Sequence, residues 1–338
     1  MSCEEYKKLK IKLSQKKHVW LVTGAAGFIG SNLTEALLKL NQHVIGIDNF
    51  SSGFRNNIDH VLSSVSPSQA SHFRFIEMDI RSSTDCKEVA KGVDYVLHHA
   101  ALVSVPQSIV NPELFHDVNL NGFLNILHAS KEAEVKRLIY ASSSSVYGNV
   151  NKFPIGETCL NIQLSPYGAT KYMNEIYAST FSKCYSIDTV GLRYFNVYGK
   201  RQNSSGAYAA VISKWINALL NKKSVPIFGD GTASRDFCFV DDIIQANILA
   251  ALTEDKKAIN NVYNIASGRE TTLNELYKIL SENLGLSECE AEYFAFRVGD
   301  IYRSAASIDK AKNLLNYSPI FSLESGLANT INWHQKSD

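Results

Sequence analysis

Two short segments carry hydroxyl, phenol and amine groups at spacings that suit proton transfer. ASSSSVYG (141–148) places four serines directly after the apolar run RLIY, and SPYGATKYMNE (165–175) places Tyr167 four residues before Lys171. The second segment has a helical pattern after Pro166, so both side chains would lie on one helix face. Free tyrosine has a pKa of about 10, and a nearby ammonium favours its ionised form. Tyr167 could then take a proton from a substrate hydroxyl, although a chance spacing would leave it a packing residue.

A glycine triplet near the N-terminus has the pattern of a dinucleotide-binding turn. TGAAGFIG places Gly24, Gly27 and Gly30 between an apolar run and a helical segment, and Asp48 ends the next apolar run. The glycines would permit a tight turn, backbone approach to a pyrophosphate, and close packing of helix on strand. Asp48 could accept both ribose hydroxyls of NAD and would repel the 2′-phosphate of NADP. Taken alone, the triplet also fits a simple strand–helix turn.

The residues around Asp48 and the third apolar run extend this prediction. Asn49 follows Asp48 with no adjacent arginine, which favours NAD over NADP. Asp79 and Ile80 end the third run and could flank the adenine, although a strand-end turn explains them equally well.

Apolar runs alternating with helix-like segments predict a parallel sheet. The runs lack strict alternation, as in strands covered on both faces. We therefore expect an α/β fold, with a doubly wound parallel-sheet Rossmann domain for NAD and a smaller α/β C-terminal substrate lobe. We assign 1–195 plus about 233–265 to the first and about 196–232 plus 266–338 to the second. The predicted strands lie at 19–24, 43–48, 74–79, 95–101, 137–143 and 188–195, and NVYNIA (261–266) returns to the large sheet.

Composition excludes several other classes of protein. The 338 residues have a formal net charge of +1, so no global field attracts nucleic acid or a membrane surface. No apolar stretch approaches the roughly 20 residues that span a bilayer. The charged segment 1–17 lacks the apolar region of a signal peptide and predicts a surface helix. Scattered cysteines without a Cys-x-x-Cys pair predict neither a metal site nor disulfides, and favour the cytoplasm; they are Cys3, Cys86, Cys159, Cys184, Cys238 and Cys289.

The ordered motifs resemble the extended short-chain dehydrogenases/reductases, specifically the nucleotide-sugar 4-epimerases. The resemblance runs from WLVTGAAGFIGSNL through LRYFNVYGKRQ and GDGTASRDF to FRVGDIYRSA, nearly the whole chain. Bacterial UDP-N-acetylglucosamine 4-epimerases are most similar, through NGFLN, GAYAAVI and SRDFC. The resemblance implies interconversion of UDP-N-acetylglucosamine and UDP-N-acetylgalactosamine, through a 4-keto intermediate with tightly bound NAD, for surface polysaccharides such as lipopolysaccharide. It also implies a homodimer built on the Tyr167 helix and its neighbour.

The resemblance assigns roles to individual residues. Tyr167 would remove the proton of the sugar 4-hydroxyl, Ser143 would hydrogen-bond or relay at the 4-oxygen, and Lys171 would lower the tyrosine pKa and bind the nicotinamide ribose. The implied cofactor residues are Gly24, Gly27, Phe28, Ile29, Gly30, Asp48, Asn49, Asp79, Ile80, Ala100, Tyr167 and Lys171. The implied substrate residues are Val103, Ser143, Ser144, Ser145, Asn196, Arg235, Arg297 and Ser304, with Asn196 and the two arginines on the diphosphate.

Three rival activities remain open, and the residues argue against the first two. Related 4,6-dehydratases carry Thr-Asp-Glu where this chain has Ser143, Ser144 and Ser145, so dehydration would lack its acid and base. A non-catalytic protein that binds NAD or nucleotide sugars would have little reason to retain Ser143, Tyr167 and Lys171 together. A net oxidoreductase would release its cofactor and need added NAD.

The substrate is less well defined than the reaction. Strict UDP-glucose/galactose epimerases have a bulky tyrosine at the position of Ser304, and a small residue there leaves room for a 2-acetamido group. Val103, Gln107 and Arg303 depart from the similar epimerases. UDP-N-acetylglucosaminuronic acid and the plain UDP-hexoses therefore remain alternatives.

Overall fold

The computed structural model describes residues 2–204, 210–286, 290–296 and 302–337. The strands are β1 (Val19–Thr23), β2 (His43–Asp48), β3 (Phe73–Glu77), β4 (Tyr95–His98), β5 (Arg137–Ser143), β6 (Thr189–Tyr194), β7 (Val197–Tyr198), β8 (Val225–Phe228), β9 (Ser234–Asp236), β10 (Cys238–Phe239), β11 (Asn261–Ile265), β12 (Glu270–Thr272), β13 (Ala291–Phe294) and β14 (Arg303–Ser304). The helices are α1 (Ser2–Gln15), α2 (Phe28–Lys39), α3 (Arg55–Ser63), α4 (Pro67–Ala70), α5 (Ser83–Ala90), α6 (Val105–Val110), α7 (Pro112–His116), α8 (Gly122–Glu132), α9 (Pro166–Tyr185), α10 (Val211–Leu220), α11 (Val240–Leu252), α12 (Leu273–Leu284), α13 (Asp309–Leu315) and α14 (Leu323–Ser337). A π-helical turn spans Asp117–Asn121, and a 3-10 helix spans Ser144–Tyr147.

Seven strands form one parallel sheet in the order β11-β6-β5-β4-β1-β2-β3. After β3 the chain returns to the other side of β1 and adds β4, β5 and β6. The strand order reverses between β1 and β4, and ligands of such sheets bind outside the carboxyl ends of the strands at that point. The α/β fold is confirmed, and each predicted strand agrees within three residues at either end.

Helices cover both faces of the large sheet and bury two separate cores. On one face lie α5, α8 and α9, with Phe123 and Phe181 in the core. On the other face lie α2 and α11, with Leu33 and Ile248 in the core. The predicted N-terminal helix is α1, which buries Leu13 in this second core. Burial on both faces explains why the strands read as apolar runs.

A third core lies under α10, α12 and α14. It contains Trp215, Ile227, Leu280 and Leu327, and it forms the centre of the smaller α/β lobe. In contrast, α13 packs against β11 and α11, and its Leu315 belongs to the core around α2 and α11. Part of 266–338 therefore packs on the large sheet, while the boundaries between the two lobes remain a prediction.

No helix among the described residues is long and apolar enough to cross a membrane. In the same part of the chain, no group of three or more His, Cys, Asp or Glu side chains could hold a metal ion.

Candidate active site

The first glycine turn brings β1, α2 and the end of β4 into close contact. Gly24 has a φ of +71°, and a Cβ atom there would lie 2.8 Å from the Ala100 nitrogen. A Cβ on Gly30 would lie 2.0 Å from the carbonyl oxygen of Gly24. Only glycine allows the chain to turn and α2 to begin this close to the strand.

The start of α2 and the end of β2 form a site suited to a pyrophosphate and a ribose. Gly27 precedes α2 and supplies no side-chain cap to it, and such a helix start favours anions. The Asp48 carboxylate accepts hydrogen bonds from the Ala26 nitrogen at 2.9 Å and the Phe50 nitrogen at 2.8 Å. Burial raises the pKa of Asp48, while these backbone hydrogen bonds act in the opposite direction. They also fix the carboxylate beside the glycine turn.

Asp79 is held by polar neighbours at the end of β3. Asn49 Nδ2 donates to Asp79 Oδ2 at 2.8 Å, and Arg81 Nη2 donates to the same oxygen at 2.8 Å. The hydrogen bond from Arg81 is the largest cause of the fall in the Asp79 pKa to about 2. Asp79 is therefore an ionised acceptor at neutral pH, and Arg81 is a partner that the sequence analysis missed.

Tyr167 and Lys171 lie in the first turns of α9, next to the end of β5. The helix begins after Ser165, whose side chain accepts a hydrogen bond from the Gly168 nitrogen at 3.1 Å. Lys171 Nζ donates to the Ala141 carbonyl oxygen at 3.0 Å. Tyr167 is 8% exposed, and both Tyr167 and Ser143 line the same cleft.

Burial and hydrogen bonding shift the pKa values of both ionisable groups in this set. Burial raises the pKa of Tyr167, and the hydrogen bond with Ser143 is what lowers it. Burial also lowers the pKa of Lys171, to about 8.

One cleft of about 760 Å³ runs along the carboxyl ends of the strands from the glycine turn to α9. Its volume suits a cofactor or ligand of substantial size. The predicted site residues that line it are Gly24, Gly27, Phe28, Ile29, Gly30, Asp48, Asn49, Asp79, Ile80, Ala100, Val103, Ser143, Tyr167, Lys171 and Asn196.

Four predicted substrate residues are not among those lining this cleft, and a fifth lies outside the described residues. Ser144 and Ser145 enter the 3-10 helix that follows β5, so the chain turns away after Ser143. Ser304 is 6% exposed and pairs in β14 with Arg235 of β9. These two therefore lie side by side in the smaller lobe. The fifth residue, Arg297, lies outside the described residues.

Several cleft residues and their partners were missed by the sequence analysis. His99 Nε2 and the Tyr194 hydroxyl lie 2.9 Å apart, and both side chains line the cleft. Arg201 also lines it and pairs with Glu35 of α2 at 2.5 Å. His99 and Tyr194 lie within the last three residues of the predicted strands 95–101 and 188–195, and this position near the carboxyl end of a strand is the signal that could have identified them.

A π-helical turn supports the loop that carries Val103. Asn119, in this turn, accepts a hydrogen bond from the Leu102 nitrogen at 2.8 Å and donates to the Leu102 carbonyl at 2.9 Å. It also donates to Thr170 Oγ1 of α9 at 3.3 Å. Such turns are frequent at functional sites, and here one links the cleft loop to the Tyr167 helix.

Arg303, beside Ser304, is already paired. Its Nε and Nη2 atoms each lie 2.8 Å from an oxygen of Glu270, in a bidentate ion pair. Its guanidinium also lies 4.8 Å from the ring centroid of Phe153. The positive charge of Arg303 is thus compensated by Glu270 within the smaller lobe.

Comparison with known proteins identifies similar sequences and structures. The model of the NAD dependent epimerase/dehydratase family matches residues 20–266. A relative from Methanocaldococcus jannaschii, called a putative UDP-glucose 4-epimerase, is 37% identical over 320 residues, which cover 94% of this chain and 99% of the relative.

Two solved structures resemble the chain over almost its full length. One is UDP-N-acetylglucosamine 4-epimerase from Methanobrevibacter ruminantium M1, in complex with UDP-N-acetylmuramic acid. It is 37% identical in sequence and has a TM-score of 0.88, and the match covers 96% of this chain and 100% of that chain. The other is UDP-glucuronic acid 4-epimerase from Bacillus cereus, in complex with UDP-glucuronic acid and NAD. It is 34% identical in sequence and has a TM-score of 0.84, and the match covers 95% of this chain and 100% of that chain. These similar proteins act on different sugars.

Proposed function

The chain belongs to the NAD dependent epimerase/dehydratase family, and we propose that it is a UDP-sugar 4-epimerase that works with tightly bound NAD. The observation that carries this proposal is that Ser143, Tyr167 and Lys171 line one cleft together with the glycine turn. They supply a hydroxyl, a proton acceptor and a buried cation. Residues 144 and 145 are serines, not the acids of a dehydratase.

The residues of the glycine turn fit NAD. The backbone at the start of α2 would hold the pyrophosphate, and Asp48 would accept the ribose hydroxyls. When bound, NAD supplies reversible hydride acceptance, so the net reaction needs no external redox partner.

The chain's own groups would move the proton. Tyr167 would take it from the sugar 4-hydroxyl and return it to the 4-keto intermediate after the sugar has turned. Ser143 would hydrogen-bond the 4-oxygen. Because burial raises the Tyr167 pKa, the phenolate needs a nearby cation, and Lys171, with a pKa of about 8, is mostly protonated at neutral pH.

We assign the diphosphate of the substrate to Asn196, Arg235 and Arg297. Asn196 lines the cleft directly after β6. Arg235 lies in β9 of the smaller lobe, where its Nη1 donates to the Ser234 carbonyl at 2.8 Å. A guanidinium can bond two phosphate oxygens and keeps its charge at any working pH.

We propose UDP-N-acetylhexosamines as the preferred substrates. The argument is the small side chain of Ser304, supported by the similarity to a UDP-N-acetylglucosamine 4-epimerase. Its neighbour Arg303 is paired with Glu270, so a substrate carboxylate would have to displace that partner. This pairing makes the uronic acid the weaker candidate, and plain UDP-hexoses would fill the sugar site less well.

A homodimer is part of the proposal. On α9, Met173, Ile176 and Tyr177 form an exposed stripe at helical spacing. Next to it, α6 and α7 pack against α9 and expose Ile109 and Val110. A second copy of the same surface would cover these apolar side chains. We place such an enzyme in the cytoplasm, supplying sugars for surface polysaccharides.

The substrate experiment uses proton NMR of the anomeric signals. The purified holoenzyme is incubated separately with UDP-GlcNAc, UDP-GalNAc, UDP-Glc, UDP-Gal and UDP-GlcNAcA, without added NAD. We expect the two N-acetylhexosamines to interconvert fastest. No 4-epimer from any of them would refute the function, and faster turnover of UDP-Glc than UDP-GlcNAc would refute the Ser304 argument.

The role of Tyr167 is tested in the same assay. Tyr167→Phe should abolish turnover and retain NAD, because only the proton acceptor is lost. Tyr172→Phe, on the same helix but outside the cleft lining, is the matched control and should keep its activity. Full activity of the Tyr167 variant would contradict its role as the base.

A further inference from the structure

The last three residues of β5 interact with three residues of α9 that are spaced at intervals of four. The Ala141 carbonyl accepts from Lys171 Nζ at 3.0 Å. Ser142 Oγ donates to Glu175 Oε1 at 2.6 Å. The Ser143 hydroxyl lowers the pKa of Tyr167 against the effect of burial. Residues 167, 171 and 175 share one helix face, and this face therefore packs against the end of the strand.

The Ser142–Glu175 contact belongs to a buried ionic network. Glu175 accepts two hydrogen bonds from Arg193 of β6, at 2.8 Å from Nε and 2.6 Å from Nη2. Ser142, Glu175 and Arg193 are all less than 9% exposed. Arg193 Nη1 also donates to the Tyr147 hydroxyl at 2.9 Å. The network therefore joins α9 to β5, β6 and the 3-10 helix.

This arrangement leaves α9 little freedom to slide or rotate over the sheet. A charged hydrogen bond in a buried site has strict geometry, and losing one partner leaves the other unsatisfied. Any shift of Glu175 along the helix axis would move Tyr167 and Lys171 with it, because one helix carries all three. Misplacement of a catalytic group by about 1 Å can cost about 10²-fold in rate.

We propose that Ser142 and Glu175 are positioning residues, which hold α9 so that Tyr167 meets Ser143 and Lys171 meets the Ala141 carbonyl. This inference rests on the proposed function, since it assumes that Tyr167 is the base. It gives the second serine of the run a role distinct from that of Ser143: Ser142 acts through the helix and not on the sugar.

The test is Ser142→Ala in the holoenzyme, with kcat, KM and the pH profile of kcat/KM measured for the same UDP-sugar. We expect kcat to fall about ten-fold or more and KM to change by less than about two-fold, because the Ser142 hydroxyl is hydrogen-bonded to Glu175. The ascending limb of the profile should move up by roughly half a pH unit, since a looser Ser143 contact stabilises the phenolate less.

Two further variants separate positioning from general destabilisation. Ser130→Ala removes another buried hydroxyl, on α8, which has no hydrogen-bond partner among the described residues; its kcat and pH profile should match the wild type. Ser142→Thr keeps the hydroxyl, so it should restore most of kcat and return the ascending limb of the pH profile to its wild-type position.

The outcomes distinguish this inference from the function itself. An inactive wild type with every UDP-sugar refutes both. An active wild type with an unchanged Ser142→Ala profile refutes the positioning role alone. The positioning role is also refuted if Ser142→Ala lowers kcat without moving the ascending limb of the pH profile. It is likewise refuted if Ser142→Ala and Ser130→Ala have the same kcat and pH profile.

Discussion

Lys171 is a buried ammonium whose hydrogen bond goes to a main-chain carbonyl. Within the described part of the chain, no carboxylate forms an ion pair with it, and burial lowers its pKa to about 8. The group therefore loses its charge close to working pH, unlike an exposed lysine with a pKa of about 10.4. Its protonation state should be visible in the reaction rate.

The expected pH dependence of the wild type is a loss of kcat/KM as the pH rises through about 8, where Lys171 gives up its proton. Neutral Lys171 no longer stabilises the Tyr167 phenolate. Lys171→Arg should have a lower rate but lack this descending limb, since a guanidinium stays charged above pH 12. Lys171→Met should lose about 10²-fold or more of kcat. A wild-type rate that is constant to pH 10 would contradict the assignment.

Sequence alone identified the chemical groups better than their partners. Gly24, Asp48 and Tyr167 stand in local patterns whose geometry follows from the strand–turn–helix order. The pairing of Ser142 with Glu175 joins residues 33 positions apart, and no local pattern specifies how α9 packs on β5. The directions of Ser144 and Ser145 likewise depend on a 3-10 helix that the serines themselves do not signal.

Among the elements, α2 connects the glycine turn to the rest of the cleft. It begins directly after the glycine turn, packs on β1 and β2, and contacts α11 across the second core. Its Glu35 pairs with Arg201, a cleft residue from the segment after β7. A shift of this helix would therefore disturb both the glycine turn and the part of the cleft that Arg201 lines.

Gly30→Ala should dislodge α2, because the added Cβ would lie 2.0 Å from the Gly24 carbonyl oxygen. We expect a loss of about 3 kcal/mol in the free energy of unfolding, at the upper end for overpacking, and protein purified with less than half the wild-type NAD content. Urea denaturation and the NAD released on denaturation measure these two effects.

Gly156→Ala is the matched control for that substitution. A Cβ there would have no described atom within 4 Å, so we expect unchanged NAD content and a stability change within about 1 kcal/mol. Equal effects at both glycines would show that close packing at Gly30 is not the cause.

At the scale of the whole molecule, the apolar stripe on α9 predicts self-association. Ile176 is 49% exposed, and Ile176→Glu would place a charge in the proposed dimer interface, which should yield a monomer in sedimentation equilibrium. Ile11→Glu changes another exposed isoleucine, on α1, which is 60% exposed, and this variant should remain dimeric. A wild type that sediments as a monomer at micromolar concentration would refute the dimer.

His98 and His99 each contribute a loss of stability in acid, which the raised pKa values of Asp236 (about 6) and Asp242 (about 7) oppose. Burial lowers the pKa of His99 to about 3 and that of His98 in the same direction. As the pH falls below about 6.5, the unfolded chain takes up protons that the folded chain does not, so folding becomes less favourable. For His99 alone this costs roughly 2 kcal/mol between pH 7 and 5.

Urea midpoints measured from pH 7 to pH 5 test this expectation. His99→Gln should remove the His99 contribution, so that this variant loses less stability than the wild type, or gains more, between pH 7 and 5. Glu35, whose pKa is lowered to about 2 chiefly by Arg201 against the effect of burial, titrates only in stronger acid. Glu35→Gln should therefore leave the slope between pH 7 and 5 unchanged, and an identical change of slope in both variants would contradict the assignment to His99.

The position of β11 at the edge of the large sheet has a consequence for synthesis on the ribosome. Its partner β6 ends at Tyr194, whereas β11 begins at Asn261. At about 5–20 residues per second, several seconds or more separate the emergence of the two strands. During that interval the nascent chain carries an apolar strand with an unpaired edge, which is a site for aggregation or chaperone binding.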